Sequence, residues 1–324
     1  MKAVLCSTHG GAELLKLEEV PSPVPEANEV IISVKACGLN FPDNLIIRGK
    51  YQFQPDFPFS PGGEVSGVVK SVGAKVTSLQ VGDRVMAGTS WGGLAEEVRS
   101  LATNAFKIPK EMAFESAAAS LMTYGTSYHA LFDRAQLQPG ETVLVLGAAG
   151  GIGVSAIQLA KLHGATVIAC ASTDEKLELC KAVGADHVIN YTSTDIKATV
   201  KEITKGTGVD VVVDPVGGDF AEPAFRSIAR FGRYLVVGFA AGEIPKLPLN
   251  LPLLKSASIV GVFWGSFFRN NPERNAQNVD QLIKWFASGQ LKPIIDRVFE
   301  LKDYEQALNL LRDKVVKGKI VLVT

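Results

Sequence analysis

The sequence is poor in the residues that build metal centres and crosslinks. Its 324 residues include four cysteines (Cys6, Cys37, Cys170, Cys180) and four histidines (His9, His129, His163, His187), all far apart and none at ligand spacing. That argues against a disulfide framework or a structural zinc site, and makes a reducing, cytoplasmic compartment the expected one. Neither sign of charge is in excess: Lys+Arg and Asp+Glu both number 33, so no extended nucleic-acid footprint is expected. No apolar run approaches the ~20 residues of a membrane span, and the start, MKAVLCSTHGG, has too short an apolar run for a secretion signal. No repeat period is evident. What remains is a chain 47% hydrophobic and long enough for two lobes.

Those lobes differ in pattern. Over the first ~110 residues, short β-branched runs (KAVLCST, EVIISVKACG, EVSGVVKSVG, DRVMAG) alternate with Gly, Pro and Asn. The dense punctuation of PSPVPEAN, QPDFPFSPGG and VGDRV predicts turns, and strands so spaced predict a compact barrel or sandwich. Beyond about residue 124, strand-like and helical runs alternate: TVLVLG, GVSAIQLAKLHG, TVIACA, DEKLELCKAVG, then DHVINY, DIKATVKEITKG, DVVVDPVGG, PAFRSIARFG, RYLVVGF and SIVGVFW. Continuous apolar strands between helices predict a parallel sheet covered on both faces. Two amphipathic helices are expected around 275–288 and 303–312. The final strand, KIVLVT, is β-rich like the first lobe and suits a return to it.

Gly147-Ala148-Ala149-Gly150-Gly151-Ile152-Gly153 follows a predicted strand and opens a predicted helix. Glycines there allow a sharp turn and close approach of a phosphate, and the helix start offers free N–H groups to a pyrophosphate. In this β-α-β context, Ala149, Gly150, Gly151 and Ile152 are candidate dinucleotide contacts; the alternative is a packing turn that binds nothing. The next strand ends at Ala171, where an NAD-specific site would carry an acid. Ser172, Thr173 and Lys176 follow and suit a 2′-phosphate, so NADP(H) is the expected cofactor. The alternative is that Ser172 or Thr173 merely caps the helix and Lys176 is solvated. Val216 and the pair Gly238-Phe239 end later strands, where ligands of open α/β sheets bind.

A β-rich lobe followed by such a nucleotide unit resembles the medium-chain dehydrogenase/reductase superfamily, in particular its zinc-free quinone oxidoreductase branch, which includes the ζ-crystallins. The resemblance spans the chain and rests on Gly38-Leu39-Asn40-Phe41-Pro42-Asp43, Pro61-Gly62-Gly63-Glu64-Val65-Ser66-Gly67, Val81-Gly82-Asp83-Arg84-Val85, the glycine burst, Val188-Ile189-Asn190-Tyr191 and Lys317-Gly318-Lys319-Ile320-Val321. It implies a GroES-like β-rich catalytic domain over 1–123 and 266–324, and a Rossmann doubly wound parallel sheet over 124–265. Zinc alcohol dehydrogenases of the superfamily carry a cysteine where this chain has Asn40 and a histidine where it has Gly63, so no metal is expected. The resemblance sets Asn40 near the nicotinamide with Asp43 nearby; the competing reading of Asn40–Asp43 is an Asx turn before a helix. Several relatives carry a tyrosine where this chain has Leu45, and Tyr51 is the candidate replacement. Tyr191 corresponds to a tyrosine near the adenosine phosphate, and Lys319 to a basic residue near the 2′-phosphate or the nicotinamide. Phe263, Trp264 and Phe267 line a cleft or a subunit interface.

Without a Lewis acid the natural acceptor is already electrophilic: a quinone or another α,β-unsaturated carbonyl, small and planar, reduced by hydride from NADPH. The alternatives are an enoyl-thioester reductase of the same superfamily and a non-catalytic, crystallin-like NADPH-binding protein. The uncharged stretch Ser258–Trp264 reads as a sheet edge that relatives pair across a two-fold axis, which implies a homodimer.

Overall fold

The computed structural model describes all 324 residues, which divide into two compact units: Met1–Met122 with Val279–Thr324, and Thr123–Asn278. No helix is long and apolar enough to cross a membrane.

The first unit is built on a seven-stranded sheet. Its central strand, Glu29–Leu39, pairs antiparallel with Glu64–Val72, Glu97–Leu101 and the C-terminal strand Lys319–Val323. Arg84–Gly88, Ala105–Lys107 and Ile295–Glu300 complete it. The β-branched residues Val30, Ile32, Val34, Val65, Val69 and Ile320, with Leu322, form one buried core, as pleated half-buried surfaces favour. The C-terminal strand does return to this lobe, with Ile320 opposite Leu39.

The second unit holds a six-stranded, all-parallel sheet. Its order is His187–Asn190, Thr166–Ala171, Thr142–Val145, Val209–Asp214, Ile228–Val236, Ser258–Gly261. Chain order reverses between Thr142–Val145 and Val209–Asp214, and in such sheets ligands bind outside the carboxyl ends at that point. The turns 146–150 and 215–218 leave the two strands there.

The structure redraws three expectations. Residues 266–278, assigned above to the first lobe, cluster with the second unit. Their side chains explain it: Asn278 and Arg274 bond Asp133 at 2.8 and 3.2 Å, Phe267 stacks on His129 at 4.1 Å, and Trp264 Nε1 donates to Asn275 at 3.1 Å. The run SIVGVFW is strand only over Ser258–Gly261; Trp264 starts the helix Trp264–Asn270, its indole packed where a side chain at Gly125 would stand. The run PAFRSIARFG is helix only over Ala221–Arg226, and Ile228 already pairs with Val209.

Candidate functional site

The first unit folds a charged cluster into its interior. Asn40 leaves the central strand and enters the short helix Phe41–Ile46. Asp43 Oδ2 accepts the main-chain N–H of Asn40 at 2.7 Å, and Oδ1 accepts that of Gly62 at 3.1 Å. Here the aspartate binds the turn, while the Asn40 amide points elsewhere, donating to Gly38 O at 3.1 Å and Glu64 Oε2 at 2.9 Å. The register of the last strand brings Lys319 to the same place. Its Nζ donates to Leu39 O at 2.7 Å, Asn40 Oδ1 at 2.6 Å and Glu64 Oε2 at 3.1 Å. Glu64 Oε1 accepts the Met122 N–H at 2.9 Å. Asn40, Asp43, Glu64 and Lys319 are 7%, 3%, 0% and 5% exposed.

The ammonium has three N–H groups, and all three are used inside the unit. Lys319 thus spends its three donors on oxygens of the first unit itself. Asn40 has likewise spent both amide hydrogens, so its Oδ1 is what it can still offer. Glu64 is the member the sequence reading missed as a site residue. Its signal was there: a carboxylate inside a strand whose neighbours are all apolar or small. Tyr51 is grouped differently, packed against the first unit's core and edge-on to Phe53 at 6.3 Å.

Burial is the main influence on Asp43 and raises its pKa from 3.8 to about 6, against the pull of its two amide bonds and Lys319. A folded-state value above the unfolded one means the folded protein binds the proton more tightly. The stability this contributes is complete below pH 3.8 and is lost as pH rises through about 6. Asp43→Asn, which cannot titrate, should therefore lag the wild type by about 1.4 kcal/mol more at pH 5 than at pH 7.5. Urea unfolding of both proteins at the two pH values checks this; a gap that does not change with pH would refute the shift.

In the second unit, the helix Gly151–Leu162 starts at Gly150, with no side chain capping its first turn and no acidic residue in it. A Cβ built on Gly150 would meet only Gly147 O, at 3.4 Å. The protein thus leaves room above an uncapped helix start, as an anion requires. Gly153 serves packing instead: its Cβ would fall 2.4 Å from Ala148 Cα. Gly147, at φ +57°, turns under Val216, whose Cγ2 would lie 2.7 Å from a Cβ there. Ala149 is buried and Gly151 and Ile152 half-buried in the first turn. Thr173 caps the helix Asp174–Ala182, its Oγ1 accepting the Lys176 N–H at 3.3 Å. Tyr191 bonds the Ser172 side chain and lies 4.3 Å from Phe220, ring to ring. Burial lowers the Lys176 pKa. Phe239 and Phe263 are exposed, whereas Trp264 is buried and Phe267 stacks within the unit.

These residues suit a dinucleotide: a glycine cradle, a free helix start, and hydroxyls with a lysine after the second strand, which ends in Ala171. They do not suit zinc. No group of three or more His, Cys, Asp or Glu side chains is placed to hold a metal ion. Asn40 and Glu64 already coordinate an ammonium. Burial, then Asp43 and Glu64, push the nearby Cys37 thiol well above its usual pKa, away from the thiolate that binds metal. A side chain at Gly63 would press on Ser90 O at 3.1 Å and Met122 Cε at 3.4 Å.

Comparison with known proteins agrees with this architecture. The alcohol dehydrogenase GroES-like domain matches residues 26–110, and the family described as zinc-binding dehydrogenase matches residues 151–288. The chain is 41% identical to the quinone oxidoreductase-like protein 2 homolog of Nematostella vectensis over 326 aligned residues, covering 100% of this chain and 89% of the relative. It is 31% identical to the quinone oxidoreductase of Homo sapiens, covering 100% and 98%. Among solved structures, the Escherichia coli quinone oxidoreductase complexed with NADPH superposes with a TM-score of 0.93 at 30% identity, covering 100% of both chains.

Proposed function

The chain belongs to the quinone oxidoreductase branch of the medium-chain dehydrogenase/reductase superfamily, and we propose that it reduces quinones or other α,β-unsaturated carbonyls with hydride from NADPH, without zinc. The observation that carries this reading is the buried ammonium of Lys319, which donates to Asn40 Oδ1 and Glu64 Oε2. With a fixed cation there and no Lewis acid, an electrophilic acceptor that needs no activation is the substrate class that fits.

Bound NADPH supplies the hydride; the residues of the chain supply position. Gly150, Gly151 and Ile152, with Ala149 beneath them, are assigned to the pyrophosphate, which the helix dipole favours. Ser172, Thr173 and Lys176 take the 2′-phosphate, since Ala171 offers no carboxylate to repel it. Tyr191 borders the adenosine, and Val216, Gly238, Phe239 and Phe263 the ribose and nicotinamide. Asn40 presents Oδ1 to the reacting end, held in one orientation by Lys319 and Glu64, and Asp43 fixes the backbone from which it projects. Tyr51 is a substrate-side contact. In this reading alignment of two planar partners supplies most of the rate.

One preparation assayed with NADPH against a quinone, an enone, an enoyl thioester and a saturated ketone of similar size tests the assignment. Quinone and enone should turn over at least a hundredfold faster than the ketone, and a strong chelator should leave the rates unchanged. A fast ketone reaction abolished by the chelator would overturn the metal-free mechanism, and preference for the thioester would move the chain to the enoyl reductases.

Association belongs to the same reading. Ser258–Gly261 is the edge of the parallel sheet; Ile259 within it is 42% exposed, and in the segment that precedes it in the chain Leu249, Leu253 and Leu254 are 78%, 75% and 67% exposed. An apolar edge of this kind is normally covered, here by a second copy of the chain. Light scattering at micromolar concentration should return twice the chain mass; a monomer mass would exclude the homodimer. Four buried, unpaired cysteines fit a reducing, cytoplasmic setting.

A further inference from the structure

We infer that Asp214 and Tyr234 form a positioning pair that sets the two strand-end turns assigned to the ribose and nicotinamide. The inference rests on the cofactor assignment above.

Asp214 ends the strand Val209–Asp214 and is 3% exposed. Its Oδ1 accepts the N–H groups of Val216 at 2.7 Å and Gly217 at 2.8 Å. Its Oδ2 accepts the hydroxyl of Tyr234, two residues before the end of the neighbouring strand Ile228–Val236. Its main-chain oxygen accepts Val237 N–H at 3.0 Å and Gly238 N–H at 3.2 Å. One residue therefore holds both turns, the first by its side chain and the second by its backbone. The turns are then laced to each other, Ala240 N–H to Pro215 O at 3.1 Å and Ala241 N–H to Val216 O at 2.8 Å.

The first turn needs such a hold. Gly217 and Gly218 sit at φ +68° and +58°, consecutive left-handed residues whose freedom is large until something fixes them. Burial raises the Asp214 pKa, opposed by Tyr234 and the two amides, all of them neutral donors. A buried carboxylate held by neutral groups alone is an expensive way to finish a strand. Nor does packing on every side lock the pair: a cavity of about 210 Å³ opens beside it, lined also by Phe239 and Ile259. Hydrogen bonding is what fixes the turn, and Phe239 rides on it, its ring 3.0 Å from where a Cβ on Gly217 would stand.

The pyrophosphate and adenosine residues (Gly150, Ser172, Tyr191) have no bond to Asp214. A positioning role for the pair thus separates the two halves of the cofactor, where a role in general stability would not. The test is titration of the full-length protein with NADPH and, separately, with adenosine 2′,5′-bisphosphate, which lacks the nicotinamide half. Tyr234→Phe strands a carboxylate oxygen. It should weaken NADPH roughly tenfold while the bisphosphate changes by less than about twofold. Asp214→Asn keeps both amide bonds on its oxygen and can donate to the tyrosine, so it should retain NADPH affinity within about threefold. Should Tyr234→Phe fail to fold, Asp214→Ser, which keeps an acceptor for the turn and loses the tyrosine, carries the same expectation. Equal weakening of both probes, or unchanged NADPH affinity, would overturn the inference. Wild-type protein that binds neither probe would instead overturn the cofactor assignment beneath it.

Discussion

Lys319→Met is expected to remove about 3–5 kcal/mol of unfolding free energy, the range for stripping one partner from a buried ion pair. Methionine keeps the unbranched apolar stem and loses the ammonium with its charge. Glu64, fully buried, would then hold a carboxylate supported only by the Met122 N–H and the Asn40 amide. Leu39 O and Asn40 Oδ1 would lose their donor as well. Activity should fall by a further one to two orders of magnitude in protein that remains folded, because Asn40 loses the bond that orients it. The double variant Lys319→Met/Glu64→Gln removes both charges and should recover much of the lost stability, since no bare carboxylate is left inside. Chemical denaturation of the two variants against wild type decides it. A double variant no more stable than Lys319→Met would mean that packing, not charge pairing, is what the lysine contributes.

That cluster marks the limit of what the sequence could disclose. The parallel sheet was legible because its signals are local: apolar runs of strand length, glycine at each turn, and helical spacing between them. The glycine burst was legible for the same reason. Lys319 and Asn40, by contrast, are 279 residues apart, and Lys319 and Glu64 are 255 apart. Only the antiparallel register of the last strand against Glu29–Leu39 makes them neighbours, and no periodicity carries register across such a distance. Resemblance named Lys319 and Asn40 as cofactor residues but not as partners of each other. The aromatic cluster failed differently. Trp264 reads as the end of an apolar strand, yet the room above Gly125 and the Asn275 acceptor draw it into a helix. Asp214 closes a run of valines and looks like an ordinary strand end. Its importance appears only when Tyr234 arrives from the next strand.

Gly150→Val should fold and yet lose NADPH by at least about a hundredfold, the second large effect. Gly150 adopts φ −80° and ψ 172°, extended backbone that a β-branched residue accepts readily. Its Cβ would touch only Gly147 O, at 3.4 Å, so the protein itself has little objection. Replacing glycine at a helix N-cap by valine costs about 1 kcal/mol at most. The isopropyl group would, however, fill the space over the uncapped first turn where the pyrophosphate is assigned. Gly153→Ala is the contrasting control. Its single methyl would lie 2.4 Å from Ala148 Cα and 2.5 Å from the Ala148 carbonyl, backbone atoms that cannot step aside. That variant should lose several kcal/mol of stability, about 3 or more, through overpacking. Thermal melts and NADPH titrations of the two proteins therefore give opposite signatures: intact folding without binding for one, damaged folding for the other. If Gly150→Val binds NADPH as the wild type does, the dinucleotide does not cross the helix start at Gly150. The assignment of Gly151 and Ile152 to its pyrophosphate would then fall with it.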